Sequence, residues 1–359
     1  MKMNIENRCD RKWAHPDVLG GSNWEVPHLM DLFYKYQNMS AEEFEEARKY
    51  EREALLGASL VSESEKRKAQ GDWRFETVTG CAEEPDQAVD ICIRMPKNPE
   101  KKLLPCIFEI PGGGMYSAGS YEYNMSSLYT LSKHHNAVVV SMCYRLVREA
   151  TYPAALNDCH AAYQWVLEHC EELSVDKEKI VIHGFSSGGQ LALAMGFRLK
   201  RYGIRPRGIV ATVPGISDVN LNHSGKISFR NKEHNDDIEA WDAEGVHIVM
   251  REWLGDLFGS AALSPEAMPG RATVEDLRDY PPVWIPAVGE MDPSRDAVVE
   301  FCSKIYEAGG FCDYHVWGGC NHNTTDPATV IGKKISDEDE WCISNALKYD
   351  FSRSWRTEE

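Results

Sequence analysis

The sequence predicts an α/β fold: a mostly parallel central sheet flanked by helices, with a helical cap. Runs that are apolar at almost every position recur at Leu103–Ile110, Ala137–Tyr144, Ile180–His183, Gly208–Val213 and Val283–Val288, the mark of strands covered on both faces. Helical stretches separate them near Asn124–His135, Pro153–Leu173, Ser187–Tyr202 and Pro293–Ala308. Alternation on this scale calls for parallel strands joined by crossovers. The third observation is the stretch Ile180–Leu193, IVIHGFSSGGQLAL, where a β-branched run turns abruptly into an apolar helix-forming segment.

Residues 1–75 show no convincing strand alternation. Ser40 followed by Glu43 reads as a capping box, and the segment to Arg67 is rich in Glu, Ala, Lys and Arg, with Phe44, Ala47, Leu55 and Leu56 as its apolar positions. Ahead of it lie Trp13, Trp24, Leu29, Leu32, Phe33 and Tyr36, an aromatic cluster that needs a surface to cover. Residues 1–75 are therefore expected to form a helical cap against a main domain of residues 76–359, and the aromatics disfavour a disordered tail. From Phe75 the period becomes two: Phe75–Thr79 and Val89, Ile91, Ile93 and Met95 alternate with polar residues, which suggests an antiparallel pair with one covered face. Between Ser217 and Pro282 the strand-helix alternation lapses into a polar loop, an amphipathic helix over Ala240–Phe258 and a Pro-rich approach to the next strand. An insertion at 217–282 belongs over the C-terminal edge of the sheet, where open α/β sheets place ligands, and reads as a lid.

The 359 residues, 43% of them hydrophobic, suffice for one large core or a core plus a cap. The formal net charge of -17 repels phosphate backbones and anionic lipid heads, which argues against nucleic acid or a membrane surface as partner. No run approaches the ~20 apolar residues of a membrane span, and the opening MKMNIENRCDRKW contains no apolar signal-like core. The eleven cysteines include no C-x-x-C pair. Cys92, Cys106 and Cys143 sit in predicted strands, where a free thiol serves as a small apolar side chain. A cytoplasmic protein is expected.

Chemistry begins at Gly184-Phe185-Ser186-Ser187-Gly188. At the tip of a strand-to-helix turn a serine takes strained backbone angles that lift its hydroxyl clear of the sheet, and bulk two residues to either side would strike neighbouring backbone. Gly184 and Gly188 remove that bulk, and the following helix aims its N-terminal N–H groups at the same point. G-x-S-x-G also arises by chance in ordinary turns; the strand before it and the helix after it favour Ser186 as a nucleophile. Such a hydroxyl needs a base, and the base an orienting acid. Gly289–Asp296 follows the strand Val283–Val288, and Gly318-Gly319-Cys320-Asn321-His322 follows a strand at Phe311–Trp317, so both loops leave the sheet edge that carries Ser186. Among the twelve histidines, His183 and His315 fall inside strands and His134 and His135 end a helix, whereas His322 occupies this loop. Asp292 is favoured over Glu290, which belongs to the strand end, and Asp296, which belongs to the turn into the next helix. Cys320 reads as structural. The order Ser, Asp, His is that of the α/β-hydrolase arrangement.

Directly after Leu103–Ile110 comes Pro111-Gly112-Gly113-Gly114-Met115-Tyr116. Successive glycines can turn N–H groups toward one point, as a tetrahedral oxyanion requires, while a phosphate loop would need Lys-Ser/Thr after the glycines. The N–H groups of Gly113, Gly114 and Ser187 are the candidate oxyanion hole. Met115, Tyr116 and Phe185 are the candidate substrate contacts.

These motifs resemble the hormone-sensitive-lipase-like branch of the α/β-hydrolase esterases. PGGG at 111–114 resembles the family's HGGG, CYRLVREATYPAALND at 143–158 its Tyr-Arg-Leu and Pro-Ala-Ala segment, and GFSSGG its Gly-Asp-Ser-Ala-Gly-Gly elbow. YPPVWIPAVGEMDPSRD at 280–296 and GGCNHN at 318–323 resemble its acid and histidine loops. The resemblance implies metal-free hydrolysis of carboxylic esters, usually of short acyl chains, without a cofactor, by Ser186, His322 and Asp292; it also implies an N-terminal helical cap, and dimers in many members. Pro111 stands where the family has His, and Phe185 where it has Asp. Both resemble acetylxylan- and feruloyl-esterase-like members, leaving open whether the acyl group is aliphatic or a small aromatic. A peptidase or acyltransferase would use the same machinery, and a non-catalytic ligand-binding homologue, as in the gibberellin receptors, would lack the histidine that is present here.

Overall fold

The computed structural model describes residues 39–40, 42–47, 49, 73–96, 103–115, 119–216, 250–258, 260, 263–290, 292, 294–318, 320, 322 and 330–351. An eight-stranded sheet runs through them in the order β1-β2-β4-β3-β5-β6-β7-β8. β1 (Trp73–Thr79) and β2 (Ala88–Arg94) form the antiparallel pair, with Trp73 opposite Arg94 and Thr79 opposite Ala88. β2 lies antiparallel to β4 (Val138–Met142). From there the sheet is parallel, through β3 (Leu104–Ile110), β5 (Val175–Phe185), β6 (Gly208–Thr212), β7 (Val283–Gly289) and β8 (Cys312–Trp317).

The period of two along each strand divides the core into two layers. Cys106, Phe108 and Ile110, Val138 and Val140, and Ile180 and Ile182 point to one side; the intervening Ile107, Val139 and Val181 point to the other. The first side is covered by α2 (Ala154–Glu168), α3 (Ser187–Arg201) and α4 (Arg295–Glu307), the second by α1 (Met125–His135) and α5 (Val330–Lys348). With both faces dry, the strands have no need of polar alternation, which is why they read as continuous apolar runs. Arg145 ties the edge of the first layer together: its guanidinium reaches Asp158 at 2.8 Å and Glu84 at 2.6 Å.

Four details depart from the sequence expectation. β5 starts before the apolar run, because Val175 pairs with Leu104 ahead of the charged stretch Asp176–Lys179. α2 stops at Glu168 rather than near Leu173, since Ser174, at φ 53°, and the Val175 N–H, bonded to the Cys170 carbonyl at 2.7 Å, turn the chain into β5. Cys143 lies one residue beyond β4. α5 was not anticipated, because its apolar stripe of Ile331, Ile335, Cys342, Ile343, Ala346 and Leu347 is interleaved with a charged face.

Of the N-terminal region, the capping box is formed: the Ser40 N–H donates to Glu43 Oε2 at 2.7 Å and the Glu43 N–H to Ser40 Oγ at 3.2 Å. Phe44 is buried in the main core under the guanidinium of Arg148, 5.6 Å from its ring. Trp13, Trp24, Leu29, Leu32, Phe33 and Tyr36 lie outside the described residues, as does 217–249; of the helix expected at 240–258, residues 250–254 are helical.

Trp284 on β7 is 1% exposed, and its ring centroid lies 5.0 Å from that of Phe311, tilted, and 5.1 Å from that of Phe351, edge-on. Trp284→Ala is expected to lower the unfolding free energy by about 3–5 kcal/mol, read as a lower urea midpoint. A loss below ~1 kcal/mol would show that the layer under α5 collapses freely around the gap.

Candidate active site

β5 ends at Phe185 and α3 begins at Ser187, so Ser186 alone makes the turn, with φ 56° and ψ -119°. A β-carbon on Gly184 would lie 2.3 Å from the Gly188 carbonyl oxygen, and one on Gly188 2.0 Å from that of Ile110. No side chain fits at either place, and glycine lets the helix start press against the ends of β3 and β5. The Ser186 N–H donates to the Thr212 carbonyl at 2.9 Å, and the Ser186 carbonyl accepts the Gln190 N–H at 3.0 Å. The strained residue is thus held from both sides.

The serine hydroxyl faces the loop after β8: Ser186 Oγ donates to His322 Nε2 at 2.8 Å. His322 Nδ1 in turn donates to Asp292 Oδ2 at 2.7 Å, which fixes the tautomer that leaves Nε2 as acceptor. Asp292 is 1% exposed, and its other oxygen, Oδ1, accepts the Ser294 N–H at 2.8 Å. The rival acids occupy other positions. Asp296 accepts from Arg295 Nε at 2.9 Å in the first turn of α4, and Glu290 starts the loop with its N–H on the Trp317 carbonyl at 2.9 Å. An alcohol aligned on an imidazole, itself aligned on a buried carboxylate, can give up its proton as its oxygen attacks an electrophilic carbon.

The glycine loop lies beside this line. Gly113, Gly114 and Met115 have φ of 128°, 66° and 61°, a run of left-handed residues. Pro111 has neither an N–H nor an imidazole with which to brace the loop. Its carbonyl accepts from the buried Tyr144 hydroxyl at 2.9 Å, and the same hydroxyl lies 3.4 Å from Ser187 Oγ. Tyr144 therefore connects the start of the loop to the start of α3. Of the metal-type donors among the described residues, Cys81, Glu83 and His160 lie within 4.8 Å of one another. Glu83 there already accepts from the Tyr202 hydroxyl at 2.6 Å and from Arg201 at 2.9 Å.

Residues 111–326 match the family model described as the alpha/beta hydrolase fold. The chain belongs to this α/β-hydrolase family. Its hormone-sensitive-lipase-like character shows in the relatives: hormone-sensitive lipase from Bos taurus is 32% identical over 129 residues, 36% of this chain and 17% of the lipase. Esterase LipI from Mycobacterium tuberculosis is 30% identical over 220 residues, 61% of this chain and 65% of LipI. The alignments thus span less than two thirds of either relative. A solved structure described as a bacterial heroin esterase shares the fold, with a TM-score of 0.76 at 24% identity, over 94% of this chain and 99% of that one.

In this α/β-hydrolase the structure brings Ser186, His322 and Asp292 into one hydrogen-bonded line, with Ser187 next in the chain and Gly112 of the glycine loop against Phe185. The proposed substrate contacts fare differently. Met115 is 1% exposed within the main core, Phe185 packs toward Val213, Ala287, Cys320, Ile331 and Ile335, and Tyr116 lies outside the described residues. Cys320, 1% exposed, belongs to that same apolar cluster.

A polar row behind the elbow escaped sequence reasoning. Ser141, Glu109 and His183 are register neighbours across β4, β3 and β5, on the face covered by α1 and α5. Ser141 Oγ and Asn124 Nδ2 donate to Glu109 at 2.5 and 2.9 Å, and His183 Nε2 donates to Asp339 of α5 at 3.1 Å. The signal was present: Glu109 is a carboxylate in the middle of a run read as buried on both faces. Burial raises the Glu109 pKa beyond what its hydrogen bonds lower it. Burial also opposes the charge on His183, but Asp339 and Glu109 outweigh it and raise its pKa above 6.5. His183 and Glu109 therefore bind protons more tightly folded than unfolded. Stability from His183 is complete below its unfolded value and lost as pH rises through the raised one; Glu109 adds a loss in the same direction. Asp339, lowered below 3.8 by His183, Thr212 and His135 against its burial, works oppositely and loses its contribution as pH falls through its folded value. Thermal melts should fall as pH rises above 6.5, with a shallower fall in His183→Gln. Equal slopes in the two proteins would show that the row does not titrate there.

Proposed function

We propose that this α/β-hydrolase is a serine carboxylesterase acting on small esters of short-chain or small aromatic acids. The observation that carries the reading is the unbroken line from Ser186 Oγ to His322 at 2.8 Å and on to the buried Asp292 at 2.7 Å. Ser186 attacks the ester carbonyl while His322 takes its proton; the N–H groups of Gly113, Gly114 and Ser187 receive the oxyanion. His322 then protonates the leaving alcohol, and water repeats the cycle on the acyl-enzyme. Asp292 keeps the imidazole in the productive tautomer and offsets its positive charge. LipI, similar over 61% of this chain, is named an esterase, which supports the same reaction class.

Phe185, partly buried, packs against the cluster under the histidine loop, so at least one of its faces supports the elbow. The described cysteines are free thiols, which suits a reducing, cytoplasmic setting. Among the described residues no helix is long and apolar enough to cross a membrane.

With p-nitrophenyl acetate or butyrate as substrate, Ser186→Ala should lower kcat by several orders of magnitude in a folded protein. Asp292→Asn should cost about 10⁴-fold. Asp296→Asn, whose carboxylate serves Arg295, should stay within about threefold of the parent. Near-normal turnover by Ser186→Ala, or the two aspartates exchanging their effects, would overturn the assignment.

A further inference from the structure

We propose that Asp339, at the middle of α5, is a positioning residue for Ser186, acting through Thr212; this rests on the esterase reading above. Its two oxygens serve two different strands. The Thr212 hydroxyl, at the end of β6, donates to Oδ1, and His183 Nε2, three residues before the nucleophile on β5, donates to Oδ2 at 3.1 Å. The Thr212 carbonyl is the acceptor of the Ser186 N–H at 2.9 Å, and Thr212 is the register partner of Phe185. One carboxylate on a helix thereby fixes the two strand ends between which the strained turn is hung.

The chemistry of the pair suits this task. Against its burial, His183 has its pKa raised by Asp339 on one side and Glu109 across the row, and Asp339, its side chain 17% exposed, accepts from both that ring and the Thr212 hydroxyl. A charge-assisted bond in such a place resists the thermal opening that a neutral, half-exposed contact would allow. Ser186 has every reason to leave a φ of 56° if the acceptor of its N–H can move. A serine oxygen displaced by a fraction of an ångström still lies near the substrate, so binding survives, but its line to His322 and the carbonyl carbon is lost. Loss of this positioning should therefore appear in kcat and leave KM in place.

Asp339→Asn removes the carboxylate that faces the His183 ring, a change that can cost folding. Thr212→Val removes only the hydroxyl and leaves the Asp339–His183 pair intact. Thr212→Ser restores the donor. Each variant and the parent would be assayed with p-nitrophenyl acetate, with rates divided by the concentration of sites titrated by a fluorophosphonate. The division matters because a merely structural role lowers the titratable fraction and leaves the rate per site unchanged. Asp339→Asn and Thr212→Val should lose about 10- to 100-fold in kcat per titrated site with KM within about twofold, and Thr212→Ser should return to within about threefold of the parent. Parent-like kcat per site in Thr212→Val, or a Thr212→Ser as slow as Thr212→Val, overturns the proposal while leaving the esterase reading standing. A parent protein that neither turns over the ester nor reacts with the fluorophosphonate overturns that reading, and the proposal with it.

Discussion

Ser186 keeps its left-handed backbone because the ends of β3, β5 and α3 approach one another more closely than any β-carbon would permit. Gly188 lies against the Ile110 and Pro111 carbonyls, and Gly184 against Gly188 itself. With those contacts in place, the Ser186 N–H has the Thr212 carbonyl as its partner, and the hydroxyl can only project from the C-terminal edge of the sheet. Everything else in the candidate site meets it there. The glycine loop leaves β3 next door, Asp292 leaves β7, and His322 leaves β8, each within a few residues of its strand's last ladder pair. A parallel sheet makes this convergence cheap, because all these strand ends share one edge.

Around that edge, polar side chains brace what the chemistry would disturb. Tyr144 holds the Pro111 carbonyl and approaches Ser187, so the start of the glycine loop and the start of α3 are tied to one phenol. On the opposite face of the sheet, Glu109, His183 and Asp339 form a row of titratable groups, the first two buried, with His183 set between the two acids. Burying such groups is costly unless they are paired. Glu109 and His183 lie near the C-terminal ends of β3 and β5, which fits a role in holding that edge.

The sheet and the elbow were legible in the sequence because their signals are local. Apolar runs mark doubly covered strands, and the glycines around Ser186 report a close approach within a five-residue window. Asp292 and His322 stand out in the sequence by position relative to strand ends, and the fold sets their side chains 2.7 Å apart. What could not be read depends on distant partners. Asp339 is an unremarkable acid on a charged helix face, and its meaning comes from Thr212 and His183, 127 and 156 residues away. α5 itself was hidden by that face, and β5 gained residues from pairing with β3. Met115 and Phe185 were placed near substrate on adjacency alone, and packing draws both into apolar clusters.

The central claim is that Ser186 is acylated in the course of turnover. Mass spectrometry of the protein quenched within the first turnovers of p-nitrophenyl acetate measures this directly. An acetyl group on the peptide that carries Ser186, appearing with the p-nitrophenol burst and disappearing as substrate is exhausted, is the predicted result. Turnover with no acyl adduct, or with the adduct on another residue, would contradict it.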